Sequence, residues 1–222
     1  MTLQLYYHPF SSYCQKVLIA LYEKDLPFER AIVDLGDPEQ RAALQKLWPF
    51  AKFPVLRDLE RGLTLPESSI ITEHLDRIAP DAAPLIPADP DEALKVRLWD
   101  RFFDNYVSAP LQKAVGDSLR PEGQRDPYGV EEARTMLATA YSALEAELAA
   151  HDGDWVAGGD FSLADCSAAP ALFYANIVHP FAGKRMVEAY YRRLLARPSF
   201  ARAVEEARPY RHLFPLEWPD SY

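Results

Sequence analysis

Hydrophobic and polar positions change period several times along this chain, and each change predicts an element. Residues 2–7 (TLQLYY) alternate as a strand does and stop at His8-Pro9. From Ser12 the apolar positions Val17, Leu18, Leu21 and Tyr22 recur at helical spacing, with Ser11 or Ser12 available as a cap, until Leu26-Pro27 ends the helix. Residues 28–33 (FERAIV) read as a second strand, so the two strands and the intervening helix form a parallel βαβ unit. Asp37-Pro38 opens a polar helix that runs to about Leu47. Residues 52–56 and 62–65 then read as a hairpin turning at Arg61-Gly62. Helical spacing returns over 68–78 through Ile70, Ile71, Leu75 and Ile78, with Glu67 at its mouth.

Residues 79–91 (APDAAPLIPADPD) are dense in Pro, Ala and Asp, which is linker composition. Beyond them every periodic segment is helical: 91–118, 129–150, 162–178, 184–195 and 198–208. The expected architecture is α/β followed by all-α, with one unit over 1–80, a linker over 81–90 and a helical unit over 91–222. In the first unit the order βαβ then ββα is the thioredoxin-like topology, which places a cis-proline at Pro54, a strand entry. No internal repeat or low-complexity tract interrupts this reading.

Composition narrows the function. The 222 residues are 49% hydrophobic and 26% charged, which is globular, and the net charge of -9 with no Lys/Arg-rich stretch argues against nucleic acid as a partner. No apolar run approaches the roughly 20 residues of a membrane span, so no membrane partner is expected. The N-terminal MTLQLYYHPF lacks the basic and apolar regions of a signal peptide, so a cytoplasmic location is expected. Cys14 and Cys166 form no CxxC pair and predict no disulfide. The five histidines show no metal-ligand spacing, so no metal site is expected.

Four local sequences carry a resemblance. Ser11-Ser12-Tyr13-Cys14-Gln15-Lys16-Val17 stands at the first strand-to-helix turn, Lys52-Phe53-Pro54-Val55-Leu56 at the hairpin, and Pro66-Glu67-Ser68-Ser69-Ile70-Ile71 at the next helix. Phe161-Ser162-Leu163-Ala164-Asp165, in the helical region, reads physically as a capping box with Ser162 as cap and Asp165 at its third helical position. In this order, on both sides of a linker, they resemble the cytosolic glutathione S-transferase family over nearly the whole chain, and its serine-type tau and zeta classes in the first turn. The chain departs from the family at Trp48-Pro49-Phe50-Ala51, where many relatives have Asn-Pro-x-Gly, and at Phe53, where Val or Ile is usual. Tyr13-Cys14 replaces the Cys-Ser of the zeta class, which argues against that class's isomerase activity.

The resemblance implies a glutathione transferase that ionises the thiol of glutathione and adds the sulfur to a small apolar electrophile. A free thiol with a pKa of about 8.5 is only a few per cent thiolate at pH 7, and a hydroxyl at a helix N-terminus stabilises the anion. Ser11 is the first candidate donor and Ser12 the second; the alternative is that both only cap the helix. Tyr6 and Tyr7 are read as strand packing, and Cys14 as a small buried residue. For glutathione, Glu67 would meet the ligand's ammonium, Ser68 its γ-glutamyl carboxylate and Lys52 its glycyl carboxylate. The backbone of Phe53, before Pro54, would pair with the cysteinyl unit. Taken alone, Lys52 and Glu67 read as solvated charges and Ser68 as a cap. Phe10, Tyr13, Phe103 and Tyr106 are candidates for an apolar pocket, although an aromatic stripe such as Trp99, Phe102, Phe103 and Tyr106 also suits a core. The aromatic tail (Tyr210, Phe214, Trp218, Tyr222) would cover that pocket or pack on the domain. The family also implies a homodimer and glutathione as co-substrate without a metal. Other readings are a glutathione-dependent isomerase, a thiol-disulfide reductase, or a non-catalytic binding protein on the same fold.

Overall fold

A computed structural model describes residues 2–218. The first unit is a four-stranded sheet in the order β2-β1-β3-β4, built from β1 (Leu3–Tyr7), β2 (Glu29–Ile32), β3 (Val55–Asp58) and β4 (Leu63–Pro66). β1 runs parallel to β2 and antiparallel to β3, and β3 pairs antiparallel with β4. This is the thioredoxin-like arrangement that the βαβ and ββα patterns predict. The Phe53-Pro54 peptide is cis, as expected from its place before β3.

Strand alternation divides the core between the faces of the sheet. Leu3, Leu5 and Tyr7 point to the face covered by α1 (Ser12–Glu23) and α3 (Ser68–Ile78), and they join the main core. The other face carries α2 (Pro38–Leu47) on a separate cluster of Val33, Leu44 and Val55, with Tyr6, Leu35 and Trp48 at its margin. Leu44 is the one buried residue of α2.

After α3 the chain crosses to α4 (Pro90–Phe102), a π turn (Phe103–Ser108) and α5 (Ala109–Ser118). The sequence pattern predicts one unbroken helix over 91–118. Buried apolar positions at 96, 99, 103, 107, 111 and 114 keep spacings of three to four through the π turn, so the apolar pattern does not mark it. The rest of the unit is α6 (Pro127–Ala149), α7 (Leu163–Val178), α8 (Arg185–Ala196) and α9 (Pro198–Ala207), followed by a 3-10 turn at Arg208–Leu213. α7 is buried along most of its length and packs on α1, so it is the axis of the molecule. The capping box at its start forms, and the buried Asp165 carboxylate accepts from the backbone of Val156 and Ser162 and from the hydroxyls of Ser162 and Tyr190.

Charged pairs also join the two units. Arg30 of β2 donates to both carboxylate oxygens of Glu206 on α9, at 2.8 and 2.9 Å. Arg197, at the start of α9, makes the same fork to Glu23 of α1, at 2.8 and 2.7 Å. Planar guanidinium–carboxylate pairs of this kind fix orientation as well as distance.

Candidate active site

The site grows out of the turn between β1 and α1. His8 Nδ1 accepts from the Phe10 backbone at 3.2 Å, and Gln15 Nε2 reaches back to the Pro9 carbonyl at 3.0 Å, so the turn is pinned from both sides. Ser11 is the cap of α1 in extended conformation (φ -85, ψ 126); its backbone N–H bonds to the His8 carbonyl and its own carbonyl receives Gln15. Its hydroxyl makes no capping bond to the helix. Ser11 lines a cleft of about 390 Å³ between the sheet and the α4–α5 rod, at the positive end of a twelve-residue helix, and its side chain also bonds to the Cys14 thiol.

Lys52, Phe53, Pro54, Glu67 and Ser68 line the same cleft, beside Leu35 and Trp48. Ser68 is buried and opens α3, while Glu67 and Lys52 are exposed. Glu67 sits at φ 71 and ψ 115, a backbone conformation that side chains with a Cβ adopt only under constraint. Such residues gather where a site needs a side chain held in one direction. Ser12 is the first residue of α1 and does not line the cleft.

Tyr13 lines the cleft next to Ser11. Burial, with the Asp104 carboxylate adding to it, pushes its phenol up to about 12, and its hydroxyl is bonded to Ser108. Phe10, Phe103 and Tyr106 require a correction. Phe103 is fully buried between Trp99 and Phe102, so it belongs to the helical core and leaves no ring face for a ligand. Tyr106 is 52% exposed, packs on Phe102, and lies off the cleft. Phe10 faces away from it, against Tyr174, Phe214 and Trp218 at ring distances of 5.5, 6.2 and 5.8 Å. The tail thus packs on the domain at Phe214 and Trp218, while Tyr210 meets the His8 ring edge-on at 4.6 Å; Tyr222 lies outside the described residues.

In place of an apolar wall, the helical side presents Arg101, Asp104, Asn105 and Gln112. Behind them lies a buried ion cluster that ties the walls together. Lys16 of α1 is 1% exposed, and its Nζ stands 2.5 Å from Asp100 and 3.2 Å from Asp104 and donates to the Ser69 hydroxyl at 2.7 Å. Arg101 Nη2 joins the same two carboxylates at 2.8 and 2.7 Å. Burial alone would raise the Asp100 carboxyl, but the charge of Lys16, aided by Ser167 and Arg101, holds it below the usual carboxylate range. The sequence signal for this cluster was present: Asp100 and Asp104 are set four apart inside the aromatic stripe Trp99, Phe102 and Phe103, where acids need cations.

Cys14 is fully buried, and burial pushes its thiol up to about 12, against the opposing pull of the Ser11 side chain and the His8 backbone. It stays neutral at ordinary pH, as a small core residue does. A larger hollow of about 620 Å³ lies beside residues 83–88, lined in part by Leu85, Trp155, Phe161 and Arg197. It contains none of the residues that line the first cleft, and the guanidinium in it is already held by Glu23.

A family model for the glutathione S-transferase N-terminal domain matches residues 5–83, and one for the C-terminal domain matches residues 127–205. A glutathione S-transferase of Pseudomonas putida is 31% identical over 176 residues, covering 79% of this chain and 76% of the relative. The chain belongs to the glutathione S-transferase family. Within that family it is also similar to a probable maleylacetoacetate isomerase of Caenorhabditis elegans, 30% identical over 78% of each chain. A glutathione S-transferase structure from Methylobacillus flagellatus, with glutathione bound, superposes with a TM-score of 0.82 at 28% identity, covering 90% of this chain and 98% of that one.

Proposed function

We propose that this transferase binds glutathione in the cleft and uses Ser11 to present its sulfur as a thiolate to a small electrophile. The observation that carries the reading is Ser11: it stands at the cap of α1, its hydroxyl makes no capping bond to the helix, and the residue lines the cleft. A hydroxyl donor and the helix N-terminus both act on the anion and not on the neutral thiol. Lowering the thiol pKa by about two units raises the thiolate fraction near pH 7 about twenty-fold. The lone pair on sulfur then forms a C–S bond. The leaving group departs with its electron pair, or an activated alkene takes the pair and is protonated; the thiol proton goes to solvent.

The ligand is anchored at both ends. Ser68, buried at the first position of α3, offers its N–H and hydroxyl to the γ-glutamyl carboxylate, and Glu67 meets the adjacent ammonium. Lys52 faces the glycyl carboxylate, and the backbone of Phe53, before cis Pro54, pairs with the cysteinyl unit. The proposed division is a glutathione-binding domain over 1–80, a linker over 81–90 and a helical domain over 91–222. We further propose a cytoplasmic homodimer. Both cysteines are free and buried, and Ile70, Leu94 and Leu98 on α3 and α4 are large apolar side chains left exposed.

The test is a glutathione titration followed by ultraviolet thiolate absorbance, on wild type and Ser11→Ala. Wild type is expected to bind and ionise the thiol, and the variant to bind without ionising it. If wild type does not bind at millimolar glutathione, the reading fails.

A further inference from the structure

We infer that the electrophile is a polar molecule, carrying an uncharged hydrogen-bonding group such as a carboxamide or ketone, which docks on the side-chain amides of Asn105 and Gln112. This rests on the glutathione reading above and names the co-substrate class for the same cleft.

Two independent observations lead there. Among the described residues, the helical side of the cleft is lined only by Arg101, Asp104, Asn105 and Gln112, and none of these is apolar. Aromatic rings line the sheet side of the cleft, at Tyr13, Trp48 and Phe53, but Phe103 and Phe10 add none to its helical side. Phe103 is in the core, and Phe10 is covered by Tyr174, Phe214 and Trp218, where a hollow of only about 10 Å³ remains. The tail rings of Phe214 and Trp218 fill the space beside Phe10.

The four polar residues do not contribute alike. Arg101 and Asp104 bond to each other, with Asp100 and Lys16 completing a cluster of two cations and two anions. That cluster is internally neutral and attracts neither sign strongly. Asn105 and Gln112 are exposed, and among the described residues no hydrogen bond ties their amides to the protein. An apolar ring pressed against them would strip water from four N–H and two C=O sites and return nothing, whereas a carbonyl or amide group replaces that water. A site built to hydrogen-bond a polar group discriminates against the ligand that lacks it.

Two glutathione conjugates of matched shape test this without relying on turnover: S-benzylglutathione and S-(4-carbamoylbenzyl)glutathione, titrated calorimetrically beside glutathione itself. The carbamoyl conjugate is expected to bind about tenfold more tightly than the benzyl one, which is about 1.4 kcal/mol. In Gln112→Leu, and separately in Asn105→Leu, the gap is expected to shrink to below about threefold. Equal or tighter binding of the benzyl conjugate to wild type would overturn the inference and leave the glutathione reading intact. So would a gap that survives both substitutions. Failure of glutathione and both conjugates to bind would overturn both readings together.

Discussion

The two walls of the cleft are built on different principles. The sheet-side wall is backbone-driven: a helix cap, a cis peptide and a residue at φ 71 bring Ser11, Phe53 and Glu67 to one surface. Each depends on a short local sequence, SSYCQKV, KFPVL or PESSI, and each is legible where it stands. The helix-side wall is side-chain-driven. Arg101, Asp104, Asn105 and Gln112 reach the cleft because the α4–α5 rod turns one face toward α1, and Lys16 fixes that face from the opposite unit. The difference teaches that local motifs place the residues proposed to hold glutathione, while long-range packing places the residues that stand opposite them.

The most damaging way to break the comparison is to cut the tie between the walls. Asp100→Ala leaves Lys16 buried with half its counter-charge and is expected to destabilise the fold by about 3–5 kcal/mol, read as the midpoint of urea unfolding. A loss under about 1 kcal/mol would mean the cluster is not a tie. Next in size is Ser11→Ala, on the sheet side. It is expected to lower the conjugation rate about 100-fold, with the KM for glutathione changed by less than about threefold. A large rise in KM with the rate preserved would reassign Ser11 to binding.

Glu67→Gly separates strain from binding. Relief of the backbone is expected to stabilise the fold by about 1 kcal/mol after the entropy of glycine is counted, while glutathione affinity falls about tenfold. Differential scanning calorimetry and a glutathione titration on the same sample check both signs. The smallest effect is that of pH. The Asp100 carboxyl is held below its unfolded value of about 3.9, so its stabilisation is present above that value. It is lost as pH falls through the lower folded value. The urea midpoint should therefore drop between about pH 5 and 3, and less steeply in Asp100→Ala. Equal slopes would exclude Asp100 as the titrating group.

Against this background the legibility of the chain follows the range of the interactions. The strands, α1 to α3 and the later helices are readable because burial of one face imprints a period on the sequence. The capping box at Ser162 and Asp165 is readable because its partners are three residues apart. The π turn is not, since it leaves the apolar spacing of the rod unchanged. Phe103 and Tyr106 share a stripe with core residues, and only the packing of α7 on that rod separates a core ring from an outward one. Lys16 was visible as the basic residue of the first motif, but its partners lie 84 and 88 positions away. Sequence alone gave no reason to pair them.

The cluster under α2 has a mechanical consequence. That helix rests its one buried residue, Leu44, on Val33 and Val55, whereas α1 is locked between the sheet, α3, α7 and α9 and is tied through its Lys16 to Asp100. Sparse packing sets a low free energy for local opening. The amide hydrogens of 39–47 should therefore exchange ahead of those of α1. Leu35 and Trp48, which border the cleft, sit on that loose edge, and Ser11 does not. The cleft thus has one stiffly packed wall, at Ser11, and one sparsely packed edge, at Leu35 and Trp48.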